Sequence, residues 1–149
     1  MEGISNNYIE SILKPTCVDF HGVFSANTIP IQLLQCQTFS FVCNFSRAAE
    51  PGSHFVTIIS LHDRVLYLDS LALPCLVQEI TTFLRRLGKP VFSNSQRVQD
   101  LTSKFCGFYC ILFVLYFNSK EPRFQLLFET RALLVNDSTC IEYIQRLLK

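Results

Sequence analysis

Apolar residues in this chain fall into two kinds of run, alternating and continuous. Over 37–45 they alternate, so that Phe39, Phe41, Cys43 and Phe45 share one face of a strand. The run 54–61 (HFVTIISL) is apolar on both faces and rich in β-branched residues, as a central strand should be. A turn around His62 and Asp63 leads into 65–69 (VLYLD), so these two runs predict a hairpin. The block 105–117 (FCGFYCILFVLYF) has no charge and no strongly polar side chain. A bilayer span needs about 20 apolar residues, so this shorter block predicts a helix buried in protein.

Weaker patterns fill the rest. Residues 5–13 predict a short helix with Tyr8, Ile9, Ile12 and Leu13 clustered on one side and Lys14-Pro15 ending it. The segment 19–30 mixes aromatic residues with Gly, Asn and Pro and predicts a packed loop, and 47–53 a turn-rich connection. Leu73-Pro74 opens an amphipathic helix to about Leu87, with Pro74 in the first turn and Gly88 just past the end. Val91 and Phe92 add a short strand, and 122–131 is a further helical stretch. Thr139 and Glu142 have capping-box spacing for a last helix to Leu148. No repeat or long linker divides the chain, so 1–149 predicts one α+β domain, a small, mainly antiparallel sheet packed against helices.

Composition supports that core and narrows the partners. The chain is 49% hydrophobic with 14 Phe, and its net charge of +1 sets up no field toward nucleic acid or an anionic membrane. The N-terminus, MEGISNNYIESILK, lacks the positive and apolar regions of a signal peptide, which predicts neither secretion nor a membrane anchor. Seven cysteines without a Cys-x-x-Cys pair exclude a complete disulfide framework, argue against zinc, and fit a reducing cytosolic or nuclear setting.

The buried helix carries the candidate chemistry. Cys106 stands at its start, where unpaired backbone N–H groups and the helix dipole favour a thiolate. A thiol nucleophile needs a base, and the base needs a third group to orient it. His62 falls in a turn and His21 in a loop, whereas His54 stands at the rigid entry to a central strand. If Leu61 pairs with Arg64 across a two-residue turn, Asp69 faces Val56, with His54 on the same face one diagonal step away, roughly 7 to 8 Å between backbones. A three-residue turn would put them on opposite faces. An acyl-transfer intermediate also needs donors for its oxyanion; the helix start supplies one, and Gln96 or Gln99 another. Singly, each residue has an ordinary reading, a core thiol or a strand-end carboxylate, so the case rests on the combination.

His54, Asp69, Gln99 and Cys106, in that order, resemble the cysteine peptidases of the adenovirus endopeptidase (adenain) family and its relatives in Polinton-type and other virus-like elements, within the ubiquitin-like-protease clan. The matching positions are Gly52-Ser53-His54-Phe55, Leu68-Asp69, and Val98-Gln99 seven residues ahead of Cys106-Gly107. That spacing selects Gln99 over Gln96. Gly22-Val23-Phe24-Ser25 also looks like an early segment of the family, so the likeness runs from about Phe20 to Phe117.

The resemblance implies a papain-like, adenain-like thiol endopeptidase with His54 as base, Asp69 as its orienting acid and Cys106 as nucleophile. The Cys106 backbone N–H and Gln99 would form the oxyanion hole. It further implies a polypeptide substrate, namely capsid or other structural precursors cleaved during virion maturation, in the host nucleus or cytoplasm or inside the virion. No metal or other cofactor is implied. Phe55 replaces the usual Trp, Asp69 stands where many adenains have Glu, and the chain is shorter than a typical adenain. Gly88 occupies the position of the cysteine through which some adenains bind an activating peptide, and neither such a peptide nor DNA as activator finds support in the sequence. The alternatives are deconjugation of ubiquitin-like modifiers, whose cellular enzymes usually have a shorter Gln-to-Cys spacing and Asp where Phe105 stands here, and an inactive binding protein on the same fold.

Overall fold

The computed structural model describes residues 4–46, 54–100, 104–119 and 133–147. Five strands form one sheet in sequential order: β1 (Phe20–Ser25), β2 (Phe39–Asn44), β3 (Phe55–Ser60), β4 (Val65–Leu68) and β5 (Val91–Ser93). Around it lie α1 (Asn6–Leu13), α2 (Gln78–Arg86), α3 (Cys106–Ser119) and α4 (Leu133–Leu147), with a short 3-10 turn at Ile31–Gln35. The sheet is antiparallel through β2, β3 and β4 and parallel at both edges, where β1 pairs with β2 and β5 with β4. The class is α+β, as the alternation of runs predicts.

The sheet divides two cores, which explains why its central strands are apolar on both faces. On one side Val42, Ile59 and Leu68 join α1, α3 and α4 through residues such as Ile9, Phe113 and Ile144. On the other, Phe39, Phe41, Val56, Ile58 and Tyr67 meet Ile80, Phe83 and Leu84 of α2. Phe41, fully buried, sits edge-on to Phe83 at 5.6 Å between ring centres and stacks on Phe39 at 6.0 Å. Among the described residues no helix is long and apolar enough to cross a membrane; α3 packs on β3, α1 and α4, buried from Cys106 to Val114 and exposed at Phe117 and Asn118.

Three local expectations change. Residues 20–25, read as loop, form the edge strand β1. Its pattern is obscured because the register slips between Phe20 and Val23, where Gly22 takes φ +141° and the Val23 N–H donates to the Glu10 carboxylate of α1 at 2.9 Å instead of to β2. Helix α2 begins at Gln78, not near Pro74: a turn at the strand exit, where the N–H groups of Leu71 and Ala72 both return to Asp69 and Ala72 has φ 53°, leads into non-helical residues 72–77, and Val77 is still extended. Gly88, at φ +69°, does follow its end. Helix α4 begins at Leu133, so Thr139 lies inside it and caps nothing. Among the described side chains its buried stripe is Asn136, Asp137, Cys140, Ile141 and Ile144, helical in spacing but including two polar residues, which hid the pattern. The expected turn over 47–53 and helix over 122–131 lie outside the described residues.

The N-terminal segment touches the start of α3 directly. A Cβ at Gly107 would come within 2.8 Å of Ile4 Cγ1 and 3.4 Å of Ile9 Cδ1. Replacing Gly by Ala in a helix gains up to about 1 kcal/mol, whereas overpacking costs about 1 to 3 kcal/mol. Gly107→Ala should therefore destabilise the chain by about 1 kcal/mol in urea unfolding, and the same change in an Ile4→Ala background should be neutral or stabilising.

Candidate active site

The β3–β4 hairpin has the two-residue turn that the site requires. The Leu61 N–H donates to the Arg64 carbonyl at 2.8 Å, and Ser60, Ile59, Ile58 and Thr57 pair with Val65, Leu66, Tyr67 and Leu68. Continuing this register by one residue sets Asp69 opposite Val56, on the same face as His54. The side chains close the diagonal gap: His54 Nε2 lies 2.8 Å from Asp69 Oδ1.

Each partner is held from a second direction. Asp69 is almost fully buried, and its Oδ1 also accepts the Leu71 N–H at 2.8 Å, so it serves both as a strand-end turn residue and as the partner of His54. Asn94 grips its backbone, accepting the Asp69 N–H at 2.9 Å and donating to the Asp69 carbonyl at 2.7 Å. The His54 side chain is 14% exposed, with the Phe45 ring edge-on at 5.1 Å. Nε2 is committed to Asp69, and Cys106 lies close enough to the imidazole to act on its titration.

Burial pulls the His54 pKa down. Hydrogen bonds to Asp69 and Cys106, together with the negative charge of both, outweigh that effect and raise it from 6.5 to about 9. The imidazole therefore carries its proton at neutral pH. Cys106 is the first residue of α3 and buried, and the N–H groups of the first turn lie ahead of any intrahelical acceptor.

Gln99 is 1% exposed and reaches the same strand exit by another route. The Val98 and Gln99 N–H groups both donate to the Ser70 carbonyl, at 2.9 and 3.1 Å, and the Ser70 hydroxyl donates to Gln99 Oε1 at 2.5 Å. Gln96 is partly exposed, and its carbonyl accepts from Asn94. Thus His54, Asp69 and Cys106 form one contact chain, while Gln99 joins it through Ser70, the neighbour of Asp69. His62 is exposed in the hairpin turn and His21 is exposed beside Phe39, so neither enters the chain.

Cys110, one turn beyond Cys106, is a core residue. Burial pushes its thiol well above the usual value. Burial likewise raises Cys17, Cys140 and, to about 12, Cys43. Sequence reasoning missed Ser70, Asn94, Tyr109 and Asn136 as supports. Asn136 holds the Val98 peptide from the far side, beside the Tyr109 hydroxyl, from which Asp137 accepts, and all of these contacts join residues too far apart in sequence to leave a local pattern.

No family model matches the sequence, and no curated protein matches it significantly. Solved structures do share the fold. ChlaDub1 from Chlamydia trachomatis superposes with a TM-score of 0.54 at 16% identity, over 74% of this chain and 59% of that one. The ASFV pS273R protease gives a TM-score of 0.57 at 15% identity, over 91% of this chain and 65% of that one. The chain spans less than two thirds of the length of either. Its fold is therefore the papain-like and ubiquitin-like-protease fold of cysteine peptidases, with a five-stranded sheet and Cys106 opening a buried helix.

The raised His54 pKa sets the sign of a pH effect. The folded chain holds this proton more tightly than the unfolded one, so the resulting stability is fully present below about pH 6.5 and is lost as pH rises through about 9. Thermal unfolding between pH 6 and 10 should show this fall in wild type and a clearly flatter profile in Asp69→Asn; parallel profiles would mean that the pair is not coupled to folding.

Proposed function

We propose that the protein is a thiol endopeptidase in which Cys106 is the nucleophile, His54 the acid–base group and Asp69 its orienting carboxylate. The observation that carries this reading is the His54–Asp69 contact at 2.8 Å, with Cys106, at a helix start, acting on the same imidazole. One imidazole joining a buried carboxylate to a thiol is the arrangement that a nucleophile, base and orienting acid need.

The steps follow from these groups. His54 holds the proton of the Cys106 thiol, and the thiolate attacks the scissile carbonyl carbon. The Cys106 backbone N–H and the Gln99 side-chain amide receive the developing oxyanion. Collapse of the tetrahedral intermediate breaks the C–N bond, and the imidazolium gives its proton to the departing amine. Water, deprotonated by the now neutral His54, then attacks the thioester and releases the acid product, returning the proton to the pair. Asp69 orients the ring throughout and stabilises its cation.

As substrate we infer structural precursors of a virus or virus-like element. The spacing of Gln99 and Cys106 supports this, as does likeness to the ASFV pS273R protease over most of the chain. The likeness to ChlaDub1 favours a second reading, cleavage after the C-terminus of a ubiquitin-like modifier. Incubation with capsid precursors from the same genome and, separately, with fluorogenic modifier conjugates distinguishes the two. Precursor cleavage without conjugate cleavage supports the first, and the reverse pattern the second.

With whichever substrate is cut, Cys106→Ala should leave no measurable cleavage, while Gln99→Ala should lower kcat by about 100- to 1,000-fold with little change in KM. Iodoacetamide near neutral pH should modify Cys106 well ahead of Cys17, Cys43, Cys110 and Cys140, whose thiols burial suppresses, and His54→Ala should remove that preference. Equal, slow labelling of all five would overturn the assignment of Cys106 as nucleophile.

A further inference from the structure

We propose that Asn94 is a positioning residue of the candidate triad: its side-chain amide stands in for a missing strand rung on the backbone of Asp69 and thereby fixes the direction of the carboxylate that holds His54. This rests on the reading of Asp69 as the group that orients His54. In an antiparallel pair, residues alternate between those that exchange hydrogen bonds with the facing strand and those whose N–H and C=O point away from it. The Leu61 N–H donates to Arg64, so the pairs Ile59 with Leu66 and Thr57 with Leu68 belong to the exchanging class. Val65, Tyr67 and Asp69 belong to the other class, and their peptide groups face the β5 side. Val65 shows the direction, since its N–H donates to the Pro90 carbonyl at 2.8 Å.

Strand β5 ends too early to serve Asp69. Its last residue, Ser93, pairs with Tyr67, so the N–H and C=O of Asp69 face a strand that has stopped. The Asn94 side chain fills that place. Its Oδ1 accepts the Asp69 N–H at 2.9 Å, and its Nδ2 donates to the Asp69 carbonyl at 2.7 Å. A carboxamide carries the same acceptor and donor as a peptide unit. The two partners also decide which way round it lies, because the reverse would set donor against donor and acceptor against acceptor. Nδ2 reaches the Gln96 carbonyl as well, at 3.3 Å, which ties the amide to its own loop.

The clamp matters because the Asp69 carboxylate has little else to hold it. Oδ1 takes both the His54 Nε2 contact and the Leu71 N–H, each at 2.8 Å. Oδ2 is buried without a hydrogen-bond partner among the described residues. With every contact on one oxygen, the direction of the carboxylate follows the backbone that carries it. That backbone enters a turn in which the Ala72 N–H donates to the Asp69 carbonyl at 2.8 Å and Ala72 has φ 53°. A left-handed conformation at a residue with a Cβ carries a steric cost, so bonds at the start of the turn must hold it in place.

The His54 imidazole reports this without turnover. Its NMR titration, assigned against His54→Ala, should give a pKa about 1 pH unit lower in Asn94→Ala than in wild type, as the carboxylate swings away from the ring. Phe83→Leu, a core change in α2, should lower stability and leave the titration in place, which separates positioning from general loosening. In an Asp69→Asn background, Asn94→Ala should lower the pKa no further, since no carboxylate remains to direct. With a cleaved substrate, Asn94→Ala should lower kcat about 10-fold with KM nearly unchanged. An unchanged His54 titration or an undiminished kcat in Asn94→Ala, or the same fall with and without the Asp69 carboxylate, would overturn the inference.

If Asp69→Asn itself leaves the His54 titration unchanged, Asp69 does not orient His54, and the proposed triad fails together with this role of Asn94. If Asp69→Asn lowers it and Asn94→Ala does not, only the role of Asn94 falls. Should Asn94→Ala fail to fold, Asn94→Ser, whose shorter side chain offers a single oxygen in place of the two ends of the amide, replaces it in both measurements with the same expected direction.

Discussion

The exit of β4 is the point on which the rest of the site depends. Asp69 and Ser70 are consecutive, both are buried, and between them they accept the His54 imidazole, the Leu71 N–H and the N–H groups of Val98 and Gln99. A buried carboxylate is costly unless its oxygens find donors and its charge a counter-charge. His54 supplies Oδ1 with a contact at 2.8 Å and the charge with a counter-charge, and the attraction is strong enough to raise its pKa to about 9 although burial pulls the other way. The position of His54 then follows from the hairpin register, which side-chain alternation fixes, since a slip of one residue would carry it to the opposite face. A feature of backbone pairing thus decides whether His54 and Asp69 meet at all.

Much of this was legible in the sequence because it is local. The two-residue turn after Leu61 and the continuous apolar character of 54–61 and 105–117 follow from adjacent residues, and they locate the hairpin and α3 correctly. The edge strand β1 was not legible, because its defining interaction is the Val23 N–H with Glu10, thirteen residues away on another element. The same reasoning covers Ser70 with Gln99 and Asn94 with Asp69, whose partners lie 29 and 25 residues off. Serine and asparagine after a strand suggest only a turn when read locally. The start of α4 was missed for the opposite reason: Asn136 and Asp137 look like solvent-facing or capping residues, yet both are buried against distant polar groups.

Those two residues show how the Gln99 loop is fixed from behind. Asn136 Nδ2 donates to the Val98 carbonyl at 3.1 Å. The Tyr109 hydroxyl lies 2.6 Å from Asp137 Oδ1 and 3.1 Å from the same Val98 carbonyl. A hydroxyl has one proton, so the shorter contact takes it and Asn136 remains the donor to Val98. Burial, and then the bond with Asp137, pushes the Tyr109 pKa upward, which keeps that proton in place across the working range of the protein. The Val98–Gln99 stretch is therefore held by Ser70 on one side and by Asn136 on the other, each side belonging to a different part of the chain.

This arrangement gives α4 a purpose beyond covering apolar surface. Cys140, Ile141 and Ile144 would close the core with any apolar residues of similar size at the first turn. Asn136 and Asp137 instead occupy buried positions where a leucine would seal the core without a polar group to satisfy, and that makes sense only if their hydrogen bonds set something that packing cannot. What they set is the peptide preceding Gln99. Dispersion and burial are nearly indifferent to a rotation of that peptide by a few tens of degrees, whereas a hydrogen bond at 3.1 Å weakens steeply once bent. The site thus uses apolar packing to bring α3 to the sheet and directional polar contacts, from Ser70 and Asn136, to aim the loop that faces it.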